Sequence, residues 1–477
     1  PDPRFGTRLV PAFGNGSWEM APLFGWLANL TKDDDPTFSR QMQWMWIEQG
    51  KPDWMQYSET ILDPDLPAEQ PTLVSKNYPG FGTILRNGFP AKDESWIAFR
   101  IGDNIEHYNH GDQGSFMYFA KGAPLVLQFG SQYQPYYRGA WYFNRVSIGH
   151  QEVQPGLFGG TEYASGSGDP EYPGKVIDFG RLQAADYAVG QHVSSKQSLL
   201  PDDCRVPMPP NTEGIGHDIS RHLWTRQMVL MKSFTPAGAE DPSGPNYLVM
   251  KDTIASEKPL PSEWNLWLLA DTLDTNGNTA SAKSPFGVQL DIFMVDPAQP
   301  KWFTREDSHT FLAGPSVEYW RKMNNNKPWK ETLKNLRASQ TPGGGFFAVL
   351  YPRKDGEQPA QFQPLANGQG VSIMHPRGLD SVFVGLQPVN WNAGDRKFTG
   401  TSGAIRQEGD TLSLILLAPG EISAKGYTLK APAPASLILR NGALTVVTKE
   451  AGQAIQITLP GGKQVQGVGS PTGQKVS

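Results

Sequence analysis

The chain has 477 residues, a formal net charge of −5 at pH 7 and only 19% charged residues. The negative balance argues against nucleic acid as a partner, and no apolar run is long enough to span a membrane. The single cysteine, Cys204, excludes an internal disulfide framework and a cysteine-based zinc site. The length indicates two or three domains, and the 51 Gly and 41 Pro favour many short strands joined by tight turns.

The first 65 residues predict helices. Apolar residues recur at helical spacing over residues 20–27. A second helix has clear end signals, because Asp35 is a suitable N-cap, Pro36 suits the first helical position and Gly50 suits the end. Two such helices must pack against another part of the protein to bury their apolar faces.

Strand patterns begin at about Leu66. Residues 96–101 predict a strand, and residues 115–129 predict a hairpin that turns at Lys121–Gly122. Residues 155–215 predict long loops, and the basic stretch 320–337 predicts short helices or loops. Further strands are predicted at 221–232, 246–254, 265–272, 346–351, 381–386, 410–419 and 435–460, the last with a hairpin turn at Asn441–Gly442.

A polar cluster lies immediately before the 115–129 hairpin. It contains His107, Tyr108, Asn109, His110 and Gln113. Short polar segments at the mouth of rigid strands are typical of binding and catalytic sites. Two histidines three residues apart are a weak signal alone, and a turn that satisfies its own backbone would look the same.

Two motifs resemble a known family. His110-x-Asp112-x-Gly114-x-Phe116 resembles the second half of the His-x-His-x-Asp-x-Gly-x-Phe motif of heparinase II/III-like polysaccharide lyases, with Tyr108 in place of the first histidine. Residues 8–15, RLVPAFGN, resemble the Arg-x-x-Pro-x-x-Gly-Asp segment that precedes the last helices of that family's (α/α) toroid.

The resemblance implies a mainly β fold with a large antiparallel β-sandwich. Residues 1–65 would be the last helices of an α/α toroid, residues 66–390 the sandwich, and residues 391–477 a small C-terminal β-domain. It also implies an upstream toroid segment of the same precursor as a partner, and an extracellular or periplasmic location.

The implied activity is cleavage of a uronate-containing glycan by β-elimination. This reaction needs groups that neutralise the uronate carboxylate, a base for the adjacent proton and an acid for the leaving oxygen. The candidate catalytic residues are His110 and Asn109 at the carboxylate, Arg138 as a charge partner, and Tyr108 and Tyr137 as proton carriers. Arginine suits a uronate because it binds carboxylates through two parallel hydrogen bonds.

The candidate contacts to an acidic polysaccharide or oligosaccharide are polar and aromatic side chains near the same motifs. They are His107, Gln113, Tyr136, Trp141, Arg145, Asn15 and Trp18.

The family's divalent metal site is matched only in part. His110 matches its first ligand, but the aspartate position falls on Leu127 or Gln128, and the last histidine position falls on Phe143. No cofactor is therefore required, although zinc or calcium at His110 stays open, with Asp112 among the residues that could complete a different site. Without a metal, Asp112 and Gln128 would orient the His110 ring by hydrogen bonds.

A second interpretation belongs to a different functional class. The chain could be a non-catalytic glycan-binding or structural β-sandwich protein that keeps the lyase scaffold without its chemistry. Tyr108 and Phe143, which replace histidines of the family pattern, favour this alternative.

Overall fold

The computed structural model describes residues 1–11, 13, 21–53, 61–102, 112–128, 143–152, 160–163, 174–194, 222–311 and 329–475. Within these residues the protein is mainly β, with antiparallel sheets stacked as sandwiches, as the sequence predicts. Neither described helix has the length and apolar character that crossing a membrane requires.

The two helices are α1 (Leu23–Thr31) and α2 (Pro36–Glu48). The predicted start of α2 is confirmed, since Asp35 Oδ1 accepts a 3.0 Å hydrogen bond from the backbone N–H of Phe38. The predicted end is also confirmed, because Gly50 follows the helix with a φ of +81°. The described residues before α1 form no helix.

The first sheet carries the predicted hairpin. Its main path runs β1-β2-β3-β4-β5-β12-β17-β16, and β6 pairs with β12 and β7. The strands are β1 (Lys76–Tyr78), β2 (Gly82–Asn87), β3 (Ser95–Arg100), β4 (Ser115–Ala120), β5 (Ala123–Val126), β6 (Val146–Glu152), β7 (Gly160–Tyr163), β12 (Ser262–Leu268), β16 (Lys301–Phe311) and β17 (Trp329–Gln340).

The second sheet packs on the first, and its order is β13-β14-β15-β18-β11-β10-β9-β8. Its strands are β8 (Lys175–Arg181), β9 (Ala185–Ser194), β10 (His222–Met231), β11 (Tyr247–Ser256), β13 (Thr272–Asn276), β14 (Thr279–Lys283), β15 (Val288–Asp296) and β18 (Phe346–Lys354).

The third sheet has the order β19-β20-β21-β24-β25-β28-β29-β32, and the fourth has the order β22-β23-β26-β27-β30-β31. A 3-10 turn, Ala366–Gly368, follows the first strand of the third sheet. The strands are β19 (Gln361–Leu365), β20 (Gly370–His375), β21 (Gly378–Phe383), β22 (Val389–Ala393), β23 (Arg396–Gly400), β24 (Gly403–Glu408), β25 (Thr411–Leu416), β26 (Gly420–Ala424), β27 (Tyr427–Ala431), β28 (Ala435–Arg440), β29 (Ala443–Thr448), β30 (Ala454–Thr458), β31 (Gln464–Val468) and β32 (Gln474–Lys475).

The four sheets form a stack with a hydrophobic core in each gap. Side chains of β4 and β12 meet those of β10 and β11 between the first two sheets. Tyr247 and Val349 of the second sheet meet Ile373 and Ile415 of the third, and a further core joins the third and fourth sheets. The second sheet is therefore buried on both faces. The outer face of the first sheet packs against Phe5, Leu9 and Phe13 of the N-terminal segment.

Two predictions for element type are wrong. Parts of the predicted 155–215 loops form β7, β8 and β9. In β9, a small residue that weakens the strand pattern fits a crowded position. A Cβ at Gly190, for example, would lie 2.5 Å from the Phe99 ring. Residues 329–337 of the predicted basic helices or loops belong to β17, in which Leu336 and Ala338 face the core and Arg337 takes the opposite face.

The strands near residue 390 divide between two sheets. β19, β20 and β21 are consecutive strands of the third sheet, which begins at Gln361, and β21 pairs with β24. The sequence analysis places these three strands in the large sandwich, with a boundary between residues 390 and 391. Those domain limits stay a prediction.

Candidate functional site

The hairpin of β4 and β5 supports the candidate site. The predicted turn is confirmed, since Lys121 and Gly122 have φ values of +51° and +78°, as a two-residue type I′ turn requires. The turn lies at one end of the hairpin. Asp112, Gln113 and Gly114, the described part of the polar motif, lie at the other end, before Ser115.

Gln113, which follows the segment 103–111, is hydrogen-bonded to Gly102, which precedes that segment. We call this closed pair of flanking residues the first neck. Its side chain is fully buried, its Nε2 donates a 2.9 Å hydrogen bond to Gly102 O, and its Oε1 accepts a 3.2 Å bond from Gly102 N. Both backbone groups at the start of the segment are thus held by the residue that follows its end. Gln113 lies at the base of the polar motif.

Asn144, which follows the segment 129–142, is hydrogen-bonded to Leu127, which precedes that segment. We call this pair the second neck. Its buried Nδ2 donates to Phe116 O and Leu127 O, each at 2.8 Å, and its Oδ1 accepts a 2.7 Å bond from Trp267 N. The amide therefore joins the end of this segment to its start and to the adjacent strand β12. No local sequence signal predicts this role of Asn144.

Arg226 joins the two necks. Its Nη1 donates to Gly114 O at 2.8 Å and to Asn144 O at 2.7 Å. Its other nitrogens form a bidentate pair with Asp252, Nε to Oδ1 at 2.8 Å and Nη2 to Oδ2 at 3.0 Å. Both side chains are essentially buried, and Trp224 Nε1 donates a further 2.8 Å bond to Asp252 Oδ1. The pair neutralises its own charges and fixes the guanidinium under both necks.

A side chain at Gly114 is disfavoured on two grounds. Its φ is +76°, and a Cβ there would lie 2.3 Å from the six-membered ring of Trp224. The chain therefore passes directly over the indole, which brings Gly114 O within reach of Arg226.

Arg145, a candidate substrate contact, is fully buried at the end of the second neck. Its Nε donates a 3.1 Å bond to Val146 O, and its guanidinium carbon lies 4.8 Å from the Trp224 ring centroid. Burial, together with the Arg145 charge, lowers the pKa of His192 to about 3. His192 is therefore neutral at physiological pH, and Arg145 is the cation of this buried pair.

The remaining candidates lie outside the described residues, and their positions stay predictions. They are the catalytic candidates His110, Tyr108, Asn109, Arg138 and Tyr137 and the binding candidates His107, Tyr136, Trp141, Asn15 and Trp18.

The described residues do not fit the metal site that the resemblance implies. Leu127 and Phe143 pack together in one apolar cluster on the outer face of the first sheet, with 0% and 1% exposure. Neither can bind a metal ion, and Gln128 is a poor zinc ligand. Among the described residues, no group of three His, Asp, Glu or Cys side chains is arranged to hold one.

A cavity of about 370 Å³ lies between the N-terminal segment and the outer face of the first sheet. The Arg8 side chain lines the cavity. Its Nη1 lies 2.7 Å from Glu94 Oε1, and its guanidinium carbon lies 4.9 Å from the Phe89 ring centroid. Trp96 and Phe119, whose rings stack at 4.2 Å, form part of its wall. The aromatic faces suit the apolar face of a sugar ring, whereas the Arg8 charge is already paired with Glu94 and Glu48.

The structure is similar to several solved structures. Heparan sulfate lyase HepC from Pedobacter heparinus is 14% identical, with a TM-score of 0.48, and the match covers 79% of this chain and 50% of that chain. A heparinase III gene product is 11% identical, with a TM-score of 0.45 and coverages of 91% and 50%. A heparinase III crystal structure is 11% identical, with a TM-score of 0.42 and coverages of 89% and 51%.

This chain thus spans about half the length of the solved chains that it matches. No protein-family model and no curated protein matches it.

Proposed function

We propose that this chain is the β-sheet part of a polysaccharide lyase that cleaves a uronate-containing glycan by β-elimination. The supporting observation is the contact of Arg226 Nη1 with Gly114 O and Asn144 O. Because one nitrogen binds both carbonyl groups, Gly114 and Asn144, which follow the segments 103–111 and 129–142, lie next to each other. These segments contain every candidate catalytic residue, and β-elimination needs such convergence on one sugar ring.

In the proposed reaction, His110 and Asn109 bind the uronate carboxylate, and Arg138 supplies the positive charge. Tyr108 or Tyr137 removes the proton from the carbon next to the carboxylate. The electron pair forms a carbon–carbon double bond as the bond to the leaving oxygen breaks, and that oxygen takes a proton from the acid. No step uses a metal.

Arg226 itself is not available to the glycan in this proposal. Its side chain is 1% exposed and its charge is neutralised by Asp252. Arg145 is also inaccessible, because it is fully buried against Trp224. A substrate carboxylate therefore needs a different cation, which supports the role of Arg138 and leaves Arg145 as a positioning residue.

The proposal includes a cleft between the first sheet and toroid helices. The cavity beside Arg8 and Trp96 lies on that face. An upstream toroid segment of the same precursor would supply the other wall, and the protein would act outside the cell or in the periplasm, where acidic polysaccharides occur.

The test is incubation with alginate, heparan sulfate and hyaluronan while ultraviolet absorbance of the unsaturated uronate product is followed. We expect absorbance to rise with at least one glycan, and the rate to fall at least about a hundredfold in His110→Ala. Lys397→Met, at an exposed lysine of β23, is the control and should keep the wild-type rate. The assay is repeated with the upstream segment added.

Binding of a glycan without new absorbance, in both forms of the assay, would favour the non-catalytic glycan-binding alternative. The apolar packing of Leu127 and Phe143 where the resemblance implies metal ligands supports that alternative. If the protein neither binds a glycan nor forms product, both proposed functions are contradicted.

A further inference from the structure

A groove of about 570 Å³ crosses the outer face of the fourth sheet. The inner face of this sheet carries Ile422 and Ile457, which are buried in the core shared with the third sheet. The groove lies on the opposite face, and its lining residues belong to β23, β26, β27, β30 and β31 or, in the case of Pro432, directly follow β27. It is therefore remote from the cores that stabilise the stack of sheets.

A row of polar side chains runs across this groove, with one member on each of five neighbouring strands. Each member is the register partner of the next, and the row consists of Thr399, Glu421, Lys430, Gln456 and Gln466. All five residues are exposed and line the groove. Because neighbouring strands lie about 4.8 Å apart, the row is about 19 Å long. A ligand that contacts the whole row must therefore be an extended chain that lies across the strands.

The row offers both hydrogen-bond donors and acceptors along its whole length. Gln456 and Gln466 each carry an amide N–H and C=O, and Thr399 carries a hydroxyl group. Lys430 Nζ lies 3.6 Å from Glu421 Oε2, so a donor and an acceptor also lie side by side on the two central strands. Within the part of the chain that the structure describes, the side chains of Thr399, Gln456 and Gln466 form no hydrogen bond with the protein. Their polar atoms are therefore open to a ligand.

The chemistry of the row limits the class of ligand. The ammonium group of Lys430 and the carboxylate of Glu421 balance each other, so an anionic ligand gains no net attraction. A phosphate or carboxylate group also offers acceptors without donors. A protein partner is disfavoured because the centre of a protein interface is apolar and depleted in charged residues, whereas this row is polar throughout. Sugar hydroxyl groups both donate and accept, as the row does.

We propose that this groove binds an extended chain of a neutral, hydroxyl-rich polysaccharide. The chain would lie across the strands, with its hydroxyl groups hydrogen-bonded to the row. Pro432 and Ala454 lie two residues from Lys430 and Gln456 along the chain and therefore share their face, where they would contact the C–H faces of the sugar rings. The site is independent of the proposed lyase function, because the candidate catalytic segments adjoin strands of the first sheet.

The test is electrophoresis of the whole chain in native gels that contain glucomannan, hydroxyethyl cellulose or dextran. We expect at least one of these neutral polysaccharides to retard the protein. The double variant Gln456→Ala with Gln466→Ala should bind that polysaccharide at least about tenfold more weakly, because two amide groups of the row are lost. Gln361→Ala with Gln363→Ala removes two exposed amides from β19 of the third sheet. This matched control should leave binding unchanged.

Ala454→Leu gives a second variant, because its larger side chain would fill part of the groove without removing a polar group. It should also weaken binding of the polysaccharide. Thermal unfolding of each variant checks that it is folded. The proposal is overturned if none of the three polysaccharides retards the protein or if retardation is unchanged in the Gln456 and Gln466 double variant. An equal loss of binding in the Gln361 and Gln363 control would also overturn it.

Discussion

Tyr247 of the second sheet donates a 2.5 Å hydrogen bond to Oδ2 of Asp380 in the third sheet. His375 Nε2 lies 3.2 Å and Arg406 Nη1 3.3 Å from the same oxygen. All four side chains are buried, and Arg406 also donates to Pro245 O at 2.8 Å. One buried carboxylate thus links the two sheets within a largely apolar interface.

The first prediction concerns the pH dependence of this link. Burial alone would raise the pKa of Asp380, but the Arg406 charge and the His375 and Tyr247 contacts outweigh it and hold the pKa below its usual value of 3.8. A lowered folded-state pKa stabilises the fold above the unfolded value. That stability is lost as the pH falls below about 4 toward the folded value.

Asp380→Asn should therefore lower the free energy of unfolding by roughly 3–5 kcal/mol at neutral pH, because Arg406 loses its buried partner. The difference in unfolding free energy between the wild type and the variant should shrink in acid, because the wild-type carboxylate becomes protonated and loses its charge. Urea unfolding at a series of pH values measures both effects. Asp274→Asn, at an exposed position, is the control and should show neither. A deficit that is the same at every pH would rule out this account.

The second prediction concerns Arg226. Arg226→Met leaves Asp252 charged and buried and should cost roughly 3–5 kcal/mol of unfolding free energy. Arg226→Met with Asp252→Asn should recover much of that loss, since no uncompensated charge remains. Hydrogen exchange should nevertheless stay fast at both necks in the double variant, because Gly114 O and Asn144 O still lack their shared donor.

Exchange measured by mass spectrometry on peptides 102–114 and 127–145 separates stability from positioning. If the double variant regains both stability and slow exchange, Arg226 does not position the necks. If lyase activity is detected, the turnover rate should fall in the double variant at unchanged thermal stability.

Local signals in the sequence predict local structure well. Asp35 and Pro36 define the start of α2, and Lys121–Gly122 defines a turn, because each signal acts within a few residues. The β8–β9 hairpin is missed because Gly190 weakens the strand pattern, and only the distant Phe99 ring explains the glycine.

The frame of the candidate site depends on contacts that no local pattern contains. Arg226 reaches Gly114 across 112 residues and Asn144 across 82. The strand that carries Arg226 is predictable, and so is the strand that carries Asp252, but the pairing register that brings them together is a tertiary property. The motif predicts which segment holds the candidate catalytic residues. The fold supplies the contacts of Arg226 with Gly114 and Asn144.

The third prediction separates backbone strain from crowding at Gly114. Gly277 has a similar positive φ, +57°, but a Cβ there would have no atom within 4 Å. Gly277→Ala should therefore cost only about 1 kcal/mol of unfolding free energy, the price of the left-handed backbone. Gly114→Ala should cost about 1–3 kcal/mol more, because its methyl group would overlap the Trp224 ring. Urea denaturation measures both, and equal losses would contradict the crowding argument.

The fourth prediction distinguishes the two necks. Gln113→Leu removes both hydrogen bonds to Gly102, and each buried backbone group left without a partner costs about 1–3 kcal/mol. We expect faster exchange in the peptide 102–114 and unchanged exchange in 127–145, because Asn144 still closes the second neck. Asn144→Leu should give the opposite pattern, since it releases Leu127 O and Trp267 N. If each single variant accelerates hydrogen exchange equally in both peptides, the two necks open together. The prediction that Gln113 and Asn144 act separately would then be wrong.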